Sequence, residues 1–468
     1  MRKINLKDYN SKDTIAAIAT FTSKSALGVI KISGKKALNI VSKIFKPTKK
    51  KDIKKVKTFT IHYGWIVDRK KGNSKTLIDE VLVSIMRSPN SYTKEDVIEI
   101  SCHGGQVSIN RILELILKQG ARLAMPGEFS YRALINGRID LLQAESIASI
   151  VDAKTNSSLN ISASQLKGQA SSKIYTLKDQ IKDLFIQTES LINFPEEEIE
   201  VSLDDLSQKV NKISRTIESV LIGSQEARII RQGLRCVICG RTNVGKSTLF
   251  NRLLKEERVI VSRIAGTTRD VVEEIINIRG VPLRIYDTAG ILEPKDLITR
   301  KAIAKTSKIF KEADLVILVL DGSRKPNKDD LFLLDKVNKK NTILVINKID
   351  LPGKLDLRIL TKLKARVVKM SALKNIGLAA FERAVSESVY RVNGKEEDLI
   401  FLSHLQEKIL KDISKDFQEI SNLIKKGYTL DFINLILKNS LNNIGKITGE
   451  VFSEEVLESI FSQFCIGK

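Results

Sequence analysis

Over its first 120 or so residues the chain alternates short apolar runs with polar turns. Residues 28–34 and 79–85 alternate apolar and polar side chains between turn-forming residues, which predicts two β-strands. Residues 109–118 space their apolar side chains as one face of a helix does. The pattern therefore predicts a mixed α/β region in this part of the sequence.

From about residue 140 the apolar positions recur at alternating steps of three and four, which predicts packed helices. Proline lacks the N–H that a helix interior needs, so we expect Pro195 to end the first of them. The first stripe comprises Ile174, Leu177, Ile181, Leu184, Thr188 and Leu191, and the second comprises Leu206, Val210, Ile213, Ile217 and Val220.

A compact α/β domain is predicted over residues 230–385, where apolar runs of strand length end in polar loops. Helical spacing then returns at Leu405, Ile409, Phe417 and Ile420, and continues over 432–444 and 453–464. Each helical half alone would leave an apolar stripe unpaired, so we expect one helical bundle interrupted by an inserted domain. A separate C-terminal helical module is the alternative.

The predicted fold class is thus α/β plus all-α, in four parts. Residues 1–122 form an α/β domain and residues 123–229 the first part of the helical domain. Residues 230–385 form the inserted domain, and residues 386–468 form the second part of the helical domain.

The composition is typical of a soluble globular protein, and the net charge allows two interpretations. Hydrophobic residues make up 42% and charged residues 28% of the chain, as in ordinary globular proteins. The longest apolar runs are too short to span a bilayer, and the first residues lack the apolar core of a signal peptide, so we expect a cytoplasmic protein without a membrane partner. The net charge of +23 indicates either a polyanionic partner such as RNA or a compositional bias spread over solvated faces.

The four cysteines do not suggest a disulfide framework in a chain of 468 residues. Cys236 and Cys239 have the spacing of a metal or redox pair, but they lie on a predicted strand and no second pair accompanies them. We therefore expect two buried strand cysteines.

A phosphate-binding loop follows that strand. Residues 240–247 read Gly-Arg-Thr-Asn-Val-Gly-Lys-Ser, between an apolar run and a predicted helix, which is the context that phosphate loops require. Glycines let the backbone N–H groups converge on phosphates at a helix N-terminus. Lys246 is expected at the β- and γ-phosphates, and the Ser247 hydroxyl is expected to ligate Mg²⁺.

Four further motifs follow in the order of a guanine-nucleotide site: residues 265–270, 287–290, 347–350 and 371–373. The carboxylate of Asp350 would accept two hydrogen bonds from the guanine edge, which adenine does not offer. Thr268 is expected as a second Mg²⁺ ligand. The sequence therefore predicts GTP binding by Asn243, Val244, Gly245, Lys246, Ser247, Thr248, Ser262, Arg263, Ile264, Ala265, Gly266, Thr267, Thr268, Asp287, Thr288, Ala289, Gly290, Asn347, Lys348, Asp350, Ser371, Ala372 and Leu373.

The last four residues read Cys465-Ile466-Gly467-Lys468, and two N-terminal stretches, 91–105 and 126–145, carry further motifs. Together with the inserted nucleotide site, they resemble the MnmE (TrmE) family of bacterial and organellar tRNA-modification GTPases over essentially the whole chain. The resemblance implies a folate-binding N-terminal domain, a helical domain and an inserted Ras-like P-loop GTPase domain.

It also implies a homodimer through the N-terminal domains and a heterotetramer with the FAD-dependent subunit MnmG. Such complexes add a carboxymethylaminomethyl or aminomethyl group to C5 of the wobble uridine, position 34, of certain tRNAs. The one-carbon unit comes from 5-formyl- or 5,10-methylene-tetrahydrofolate. By resemblance the folate contacts are Lys31, Glu95, Arg138 and Lys468, and the modification chemistry involves Cys465. K⁺ is expected at Asn243, Ser262, Ile264 and Thr267 as the activator of hydrolysis.

Two departures from the family pattern affect function. Thr299 stands where a catalytic glutamate is usual and Leu292 where arginine is usual, so we expect GTP binding with reduced turnover. Residues 21–26 replace a turn rich in proline and glycine near the folate site. A regulatory GTPase that binds RNA or ribosomes, or a scaffold that has lost catalysis, is therefore a competing interpretation.

Overall fold

The computed structural model describes residues 13–20, 25–49, 52–69, 75–193, 203–256, 274–285, 313–337, 341–356, 365–389, 399–427 and 429–450, with residues 457, 461, 464 and 467. Its contacts divide the chain into two units. The first comprises residues 1–148 and 442–468, and the second comprises residues 149–441.

The first unit is built on a seven-stranded sheet with the order β3-β4-β5-β6-β2-β1-β7. Neighbouring strands are antiparallel except for the parallel pair β1–β7. The strands are β1 (Ile15–Ile18), β2 (Leu27–Ser33), β3 (Phe45–Pro47), β4 (Thr60–Arg69), β5 (Lys75–Met86), β6 (Val97–His103) and β7 (Arg122–Leu123).

Helices α1 (Ala37–Ile44) and α2 (Gln106–Lys118) cover one face of this sheet with their apolar sides. Buried Ile40, Ile112 and Ile116 join Ile30 and Ile98 of the central strands in a single core. Helices α3 (Glu128–Ile135) and α4 (Leu141–Val151) follow β7. The predicted α/β character of this region, including its two strands and its helix, is confirmed.

Late residues of the chain complete a second core in the first unit. Phe461 is 1% exposed, and its ring meets that of Tyr131 edge-on with the centroids 5.4 Å apart. Phe464 lies 5.2 Å from Phe461, centroid to centroid. These rings and Leu457 pack against apolar side chains of α3 and α4.

The second unit contains long helices from both sides of the nucleotide domain. They are α5 (Asn156–Leu166), α6 (Gln169–Asn193), α7 (Leu203–Gln232), α11 (His404–Lys425) and α12 (Leu430–Thr448), of which residues 430–441 belong to this unit. Helix α7 packs against α11, where Ser224 Oγ donates to Glu407 Oε1 at 2.9 Å. Thr188 Oγ1 of α6 donates to Asn434 Oδ1 of α12 at 2.9 Å. The bundle is therefore interrupted by an inserted domain, and the alternative of a separate C-terminal module is wrong.

The predicted apolar stripe of α11 is wrong in its first turn. Leu405 is 45% exposed, whereas Gln406, Glu407 and Leu410 are buried. The side chain of Gln406 turns back to accept a hydrogen bond from the backbone N–H of Ser403 at 2.9 Å. This polar contact sets the rotation of the helix start and leaves Leu405 on the outer side.

The inserted domain is a six-stranded sheet with the order β13-β12-β11-β8-β10-β9, parallel apart from the β9–β10 pair. Helices α8 (Lys246–Glu256), α9 (Lys328–Val337) and α10 (Leu378–Val389) pack around it. The strands are β8 (Leu234–Cys239), β9 (Glu274–Ile278), β10 (Val281–Ile285), β11 (Leu315–Asp321), β12 (Thr342–Asn347) and β13 (Arg366–Lys369).

The four-part domain division stays a prediction. By contacts, residues 123–148 and 442–468 group with the first unit, while the remaining helices group with the inserted domain. Most of the helix predicted over 453–464 lies outside the described residues.

Candidate functional site

The phosphate loop begins where β8 ends, at the carboxyl edge of the parallel strands. Gly240 and Gly245 have φ angles of +141° and +101°, which side-chain-bearing residues rarely adopt. A Cβ atom at Gly240 would collide with the carbonyl oxygen of Val319 on β11. Glycine is therefore required for the loop to lie this close to the neighbouring strand.

Helix α8 starts at Lys246, so its first N–H groups face the loop, as anion sites at helix N-termini require. Lys246 Nζ donates to the carbonyl oxygen of Arg241 at 2.7 Å, which holds the ammonium group within the loop. Ser247 and Thr248 in the first turn are exposed. The hydroxyl of Ser247 is therefore available to an Mg²⁺ ion, for which oxygen ligands are preferred.

Asn347 connects the phosphate loop with residues 371–376. We call these residues the base-binding loop, because residues 371–373 are predicted to contact the base. Its side chain is buried, its Nδ2 donates to the carbonyl oxygen of Val244 at 2.8 Å, and its Oδ1 accepts from Ala372 N at 2.9 Å. The predicted residues Val244, Asn347 and Ala372 are thus brought together by one amide.

Lys348 connects the phosphate loop with Asp321 at the end of β11. Its Nζ donates to the carbonyl oxygen of Asn243 and to Asp321 Oδ2, both at 2.7 Å. Asn243 and Lys348 both have positive φ angles, 62° and 65°. Left-handed backbone in non-glycine residues is uncommon and concentrates at functional sites.

Asp321 is a site residue that the sequence analysis missed. Burial opposes its ionisation, but hydrogen bonds from Lys348 and Ser323 outweigh burial and hold its pKa below the ordinary value. The carboxylate therefore stays charged and orients Lys348. A single acidic residue at the end of the apolar run of β11 was the signal available in the sequence.

The base-binding loop is closed by two backbone hydrogen bonds between Ser371 and Ile376, of 2.9 and 3.1 Å. Arg252 of α8 also supports this loop and was likewise missed, since its Nη2 donates to the carbonyl oxygen of Leu373 at 3.2 Å. The side chains of Asp350 and Leu373 are exposed at this edge of the sheet. A carboxylate in this position is available to the N–H groups of a guanine base.

Several predicted residues lie outside the described part of the chain. They are Ser262, Arg263, Ile264, Ala265, Gly266, Thr267 and Thr268, then Asp287, Thr288, Ala289 and Gly290, and finally Leu292, Thr299, Cys465 and Lys468. The second Mg²⁺ ligand, most of the K⁺ ligands and the proposed thiol are therefore predictions from the sequence alone.

Cys236 and Cys239 are buried strand residues, as expected. Burial raises the pKa of both thiols, that of Cys239 to about 12, which keeps them protonated and unreactive at neutral pH. Within the described ranges, no three His, Cys, Asp or Glu side chains come together as metal ligands would.

In the first unit, two of the predicted folate contacts lie around one aromatic ring. The guanidinium carbon of Arg138 is 4.7 Å from the centroid of the Tyr92 ring, and Lys31 Nζ is 6.0 Å from it. Tyr92 is held in place because its hydroxyl shares a hydrogen bond of 2.8 Å with Ser130 Oγ. The two cations and the ring form one surface, which we call the Tyr92 cluster.

Glu95, the third predicted contact, is fixed beside this cluster. Ser33 Oγ donates to Glu95 Oε2 at 2.6 Å, and Arg132 Nη1 donates to the same oxygen at 3.0 Å. Arg132 is completely buried and also binds Glu128 of its own helix at 3.0 Å. The sequence analysis missed Arg132, whose partner Glu95 lies 37 residues earlier in the chain.

No helix within the described ranges combines the length and the apolar character that crossing a membrane would need.

Comparison with known proteins identifies the family. The model described as "GTP-binding protein TrmE N-terminus" matches residues 14–138, and the model described as "MnmE helical domain" matches residues 141–465. The tRNA modification GTPase MnmE of Thermoanaerobacter pseudethanolicus is 45% identical over 462 residues, which cover 97% of this chain and 99% of that protein.

The tRNA modification GTPase MnmE of Alkaliphilus oremlandii is 40% identical over 460 residues, covering 97% of this chain and 99% of its own. Among solved structures, the G domain of the T. maritima FeoB iron transporter is 27% identical, covers 34% of this chain and 99% of its own, and has a TM-score of 0.27. On the full-length identities, the chain belongs to the MnmE family of tRNA modification GTPases.

Proposed function

We propose that this GTPase is the GTP-dependent subunit of a complex that adds a carboxymethylaminomethyl or aminomethyl group to C5 of the wobble uridine in certain tRNAs. The one-carbon donor is a tetrahydrofolate derivative, either 5-formyl- or 5,10-methylene-tetrahydrofolate. The observation that carries the proposal is the Tyr92 cluster of the first unit, which has the chemistry that a folate needs.

A tetrahydrofolate has a pterin whose pyrimidinone ring is flat, and an anionic glutamate tail. Tyr92 offers an aromatic face, and Lys31 and Arg138 offer two positive charges beside it. The carboxylate of Glu95 is suited to accept N–H groups of a pterin. Lys468 would add a third cation, and the Cys465 thiol is proposed to take part in the modification chemistry.

For the nucleotide site we propose Mg²⁺ binding by Ser247 and Thr268 and K⁺ binding by Asn243, Ser262, Ile264 and Thr267. The monovalent cation would supply positive charge next to the phosphate oxygens during hydrolysis. The chain's own residues bind the phosphates, orient them with Lys246, and keep the loop in place through Asn347 and Lys348.

Turnover is proposed to be slow because Thr299 cannot hold a water molecule with a negative charge. Substituting Thr299→Glu should therefore raise the steady-state GTPase rate in K⁺ buffer by roughly 100-fold or more, since a positioned acid–base residue contributes about 10²- to 10⁴-fold. GDP affinity serves as the control and should not change. A rate that does not rise would contradict the assignment of this position.

Homodimerisation is proposed to use the outer face of β4. Ile61, Tyr63 and Trp65 point to the same side of this strand and are 67%, 49% and 36% exposed. An apolar stripe of this kind marks a protein interface more often than a solvated surface. Further proposed partners are MnmG, with which the dimer forms a heterotetramer, and tRNA, all in the cytoplasm.

The decisive test is the wobble-uridine composition of tRNA from cells that lack this protein. We expect the hypermodified uridine to disappear and to return with the wild-type gene. If the modified uridine persists, a regulatory RNA-associated GTPase becomes the better reading. Titration of 5-formyltetrahydrofolate against wild type, Tyr92→Ala and Cys465→Ser tests the folate site directly, and we expect Tyr92→Ala to weaken binding most.

A further inference from the structure

A groove of about 790 Å³ in the second unit is lined by α6, α7 and residue Ile400, away from the nucleotide loops. Its nonpolar lining residues are Val220, Gly223 and Ile400, and all its other lining residues are polar or cationic. No aspartate or glutamate from the described ranges contributes to the lining. The groove is therefore unsuited to an apolar ligand and attractive to an anion.

The polar lining forms a continuous stripe along α7. Its members are spaced by alternating steps of three and one, so they share one side of the helix: Gln208, Asn211, Lys212, Arg215, Thr216 and Ser219. The buried apolar residues Leu206, Val210, Ile213 and Ile217 occupy a different side of the helix, while Val220 of the same apolar stripe also lines the groove. The acidic residues of the same helix, Asp204, Asp205, Glu218 and Glu226, do not line the groove, and neither do its cations Lys209, Arg228 and Arg231.

Three cations reach this groove: Lys173 from α6, and Lys212 and Arg215 from α7. Lys212 and Arg215 are exposed, and neither forms an ion pair with a carboxylate in the described part of the chain. Cations that flank a groove concentrate anionic ligands. Gln208 and Asn211 add amide groups that both donate and accept hydrogen bonds.

We propose that this groove binds the sugar–phosphate backbone of RNA. The inference rests on the proposed function, because it names where the tRNA substrate class would contact this chain. Cations are the usual partners of phosphates, while amide and hydroxyl groups pair with 2′-hydroxyls and base edges. An acidic peptide would use the cations but would have little need for the polar stripe. The net charge of +23 further favours a long polyanion.

The test measures the affinity of the full-length protein for an unmodified tRNA transcript as a function of salt. Each phosphate contact contributes about 0.7–0.9 to the slope of log K against log salt. The variant Lys212→Gln with Arg215→Gln should therefore lower the slope by about 1.5 and the affinity at 0.1 M salt by roughly 10- to 50-fold. The matched control, Lys182→Gln with Lys425→Gln, removes two exposed charges outside the groove and should leave the slope unchanged.

Two further measurements keep the inference testable if the groove variant folds poorly. The charge-preserving variant Lys212→Arg with Arg215→Lys should retain the slope. In wild type, tRNA should protect backbone amides of residues 208–219 from hydrogen exchange. Equal slopes for the groove and control variants, or an absence of protection, would overturn the inference, as would displacement of tRNA from the groove by poly-glutamate at equal charge concentration.

The two experiments distinguish a failure of the groove assignment from a failure of the proposed function. If cells lacking the protein keep the modified uridine while the groove variant loses RNA affinity, the groove stands and the modification role fails. If the uridine disappears while the groove variant binds tRNA normally, the modification role stands and the groove assignment fails.

Discussion

At the scale of single residues, Asn347 contributes to two loops at once. Its amide satisfies the carbonyl of Val244 and the N–H of Ala372, both buried. Removing this side chain would leave the Val244 carbonyl and the Ala372 N–H buried without a hydrogen bond. Such groups cost more free energy than a hydrogen bond contributes, because burial has also removed their hydrogen bonds to water. The phosphate loop and the base-binding loop therefore depend on one side chain.

We expect Asn347→Ala to weaken GDP binding at least tenfold, since leaving two buried groups unsatisfied costs about 2 kcal/mol or more. The dissociation rate of a fluorescent GDP analogue measures this effect, and loss of exchange protection at the Ala372 amide locates it. Substituting the exposed Asn439→Ala is the control. If the GDP analogue dissociates from the Asn347→Ala variant as slowly as from wild type, the two hydrogen bonds of Asn347 are unimportant for GDP binding.

Glu128 makes the first unit sensitive to acid. Burial opposes its ionisation, but Arg122, the N–H of Met125 and the charge of Arg132 outweigh burial and lower its pKa. A lowered pKa contributes stability above the ordinary glutamate pKa, and that stability is lost as pH falls through the folded value. Trp65 is the chain's single tryptophan and lies in this unit, so its fluorescence reports on this unit alone.

We therefore expect Glu128→Gln to lower the urea midpoint of the Trp65 transition at pH 7. The difference between wild type and variant should shrink as the pH falls below the ordinary glutamate pKa, because the wild-type carboxyl is then protonated too. Glu114→Gln, which removes a more exposed carboxylate, should show a smaller difference at pH 7. A difference that is constant from pH 7 to pH 3 would contradict this role.

Sequence reasoning named the candidate site residues in contiguous motifs and missed side chains that contact them from elsewhere in the sequence. Asn347 and Lys348 were predicted because their motif follows a strand. Asp321 and Arg252 were not, since their partners Lys348 and Leu373 are distant in the sequence. Contacts of this kind follow from strand order, which apolar spacing alone does not reveal.

At the scale of elements, the helical stripes of α6 and α7 were predicted from the sequence, because apolar side chains that recur every 3.6 residues share one side of a helix. All the predicted members are buried except Leu191, which is partly exposed. The first turn of α11 was misplaced, since buried polar residues there carry no hydrophobic signal. Glu407 in that turn accepts hydrogen bonds from Ser224 and Arg228 of α7. A charged contact thus joins helices that are separated by the whole nucleotide domain.

We expect Glu407→Ala to destabilise the α7–α11 pair by about 1–3 kcal/mol, the usual cost of losing a hydrogen-bonded buried charge with a partly exposed partner. Faster hydrogen exchange in the last turns of α7 and the first turns of α11 measures the effect. Glu419→Ala on the exposed side of α11 is the matched control. Equal exchange in both variants would contradict the contact's importance.

At the scale of the whole molecule, the first unit is assembled from two segments far apart in sequence. Leu457, Phe461 and Phe464 lie in the core formed by α3 and α4. A Cβ at Gly127 would lie 3.0 Å from the carbonyl oxygen of Phe461, so the two segments are in close contact. The sequence analysis placed both segments in the helical domain, a division that stays a prediction.

Phe461→Ala is expected to destabilise the first unit by about 3–5 kcal/mol, as a buried phenylalanine truncation does. The Trp65 fluorescence transition in urea should shift accordingly, while Phe432→Ala at a 57% exposed position should leave it nearly unchanged. An unshifted transition for Phe461→Ala would indicate that the first unit holds together without residues 457–464.

The same arrangement has a consequence for how the protein is made. About 310 residues separate Ala144 from Leu457, so at roughly 5–20 residues per second the ribosome needs some 15–60 s to deliver the missing aromatic side chains. During that interval the nascent N-terminal region carries an apolar cleft open to solvent, of the kind that chaperones bind. This core of the first unit is therefore completed only when residues 457–464 have been translated, long after the strands of the same unit.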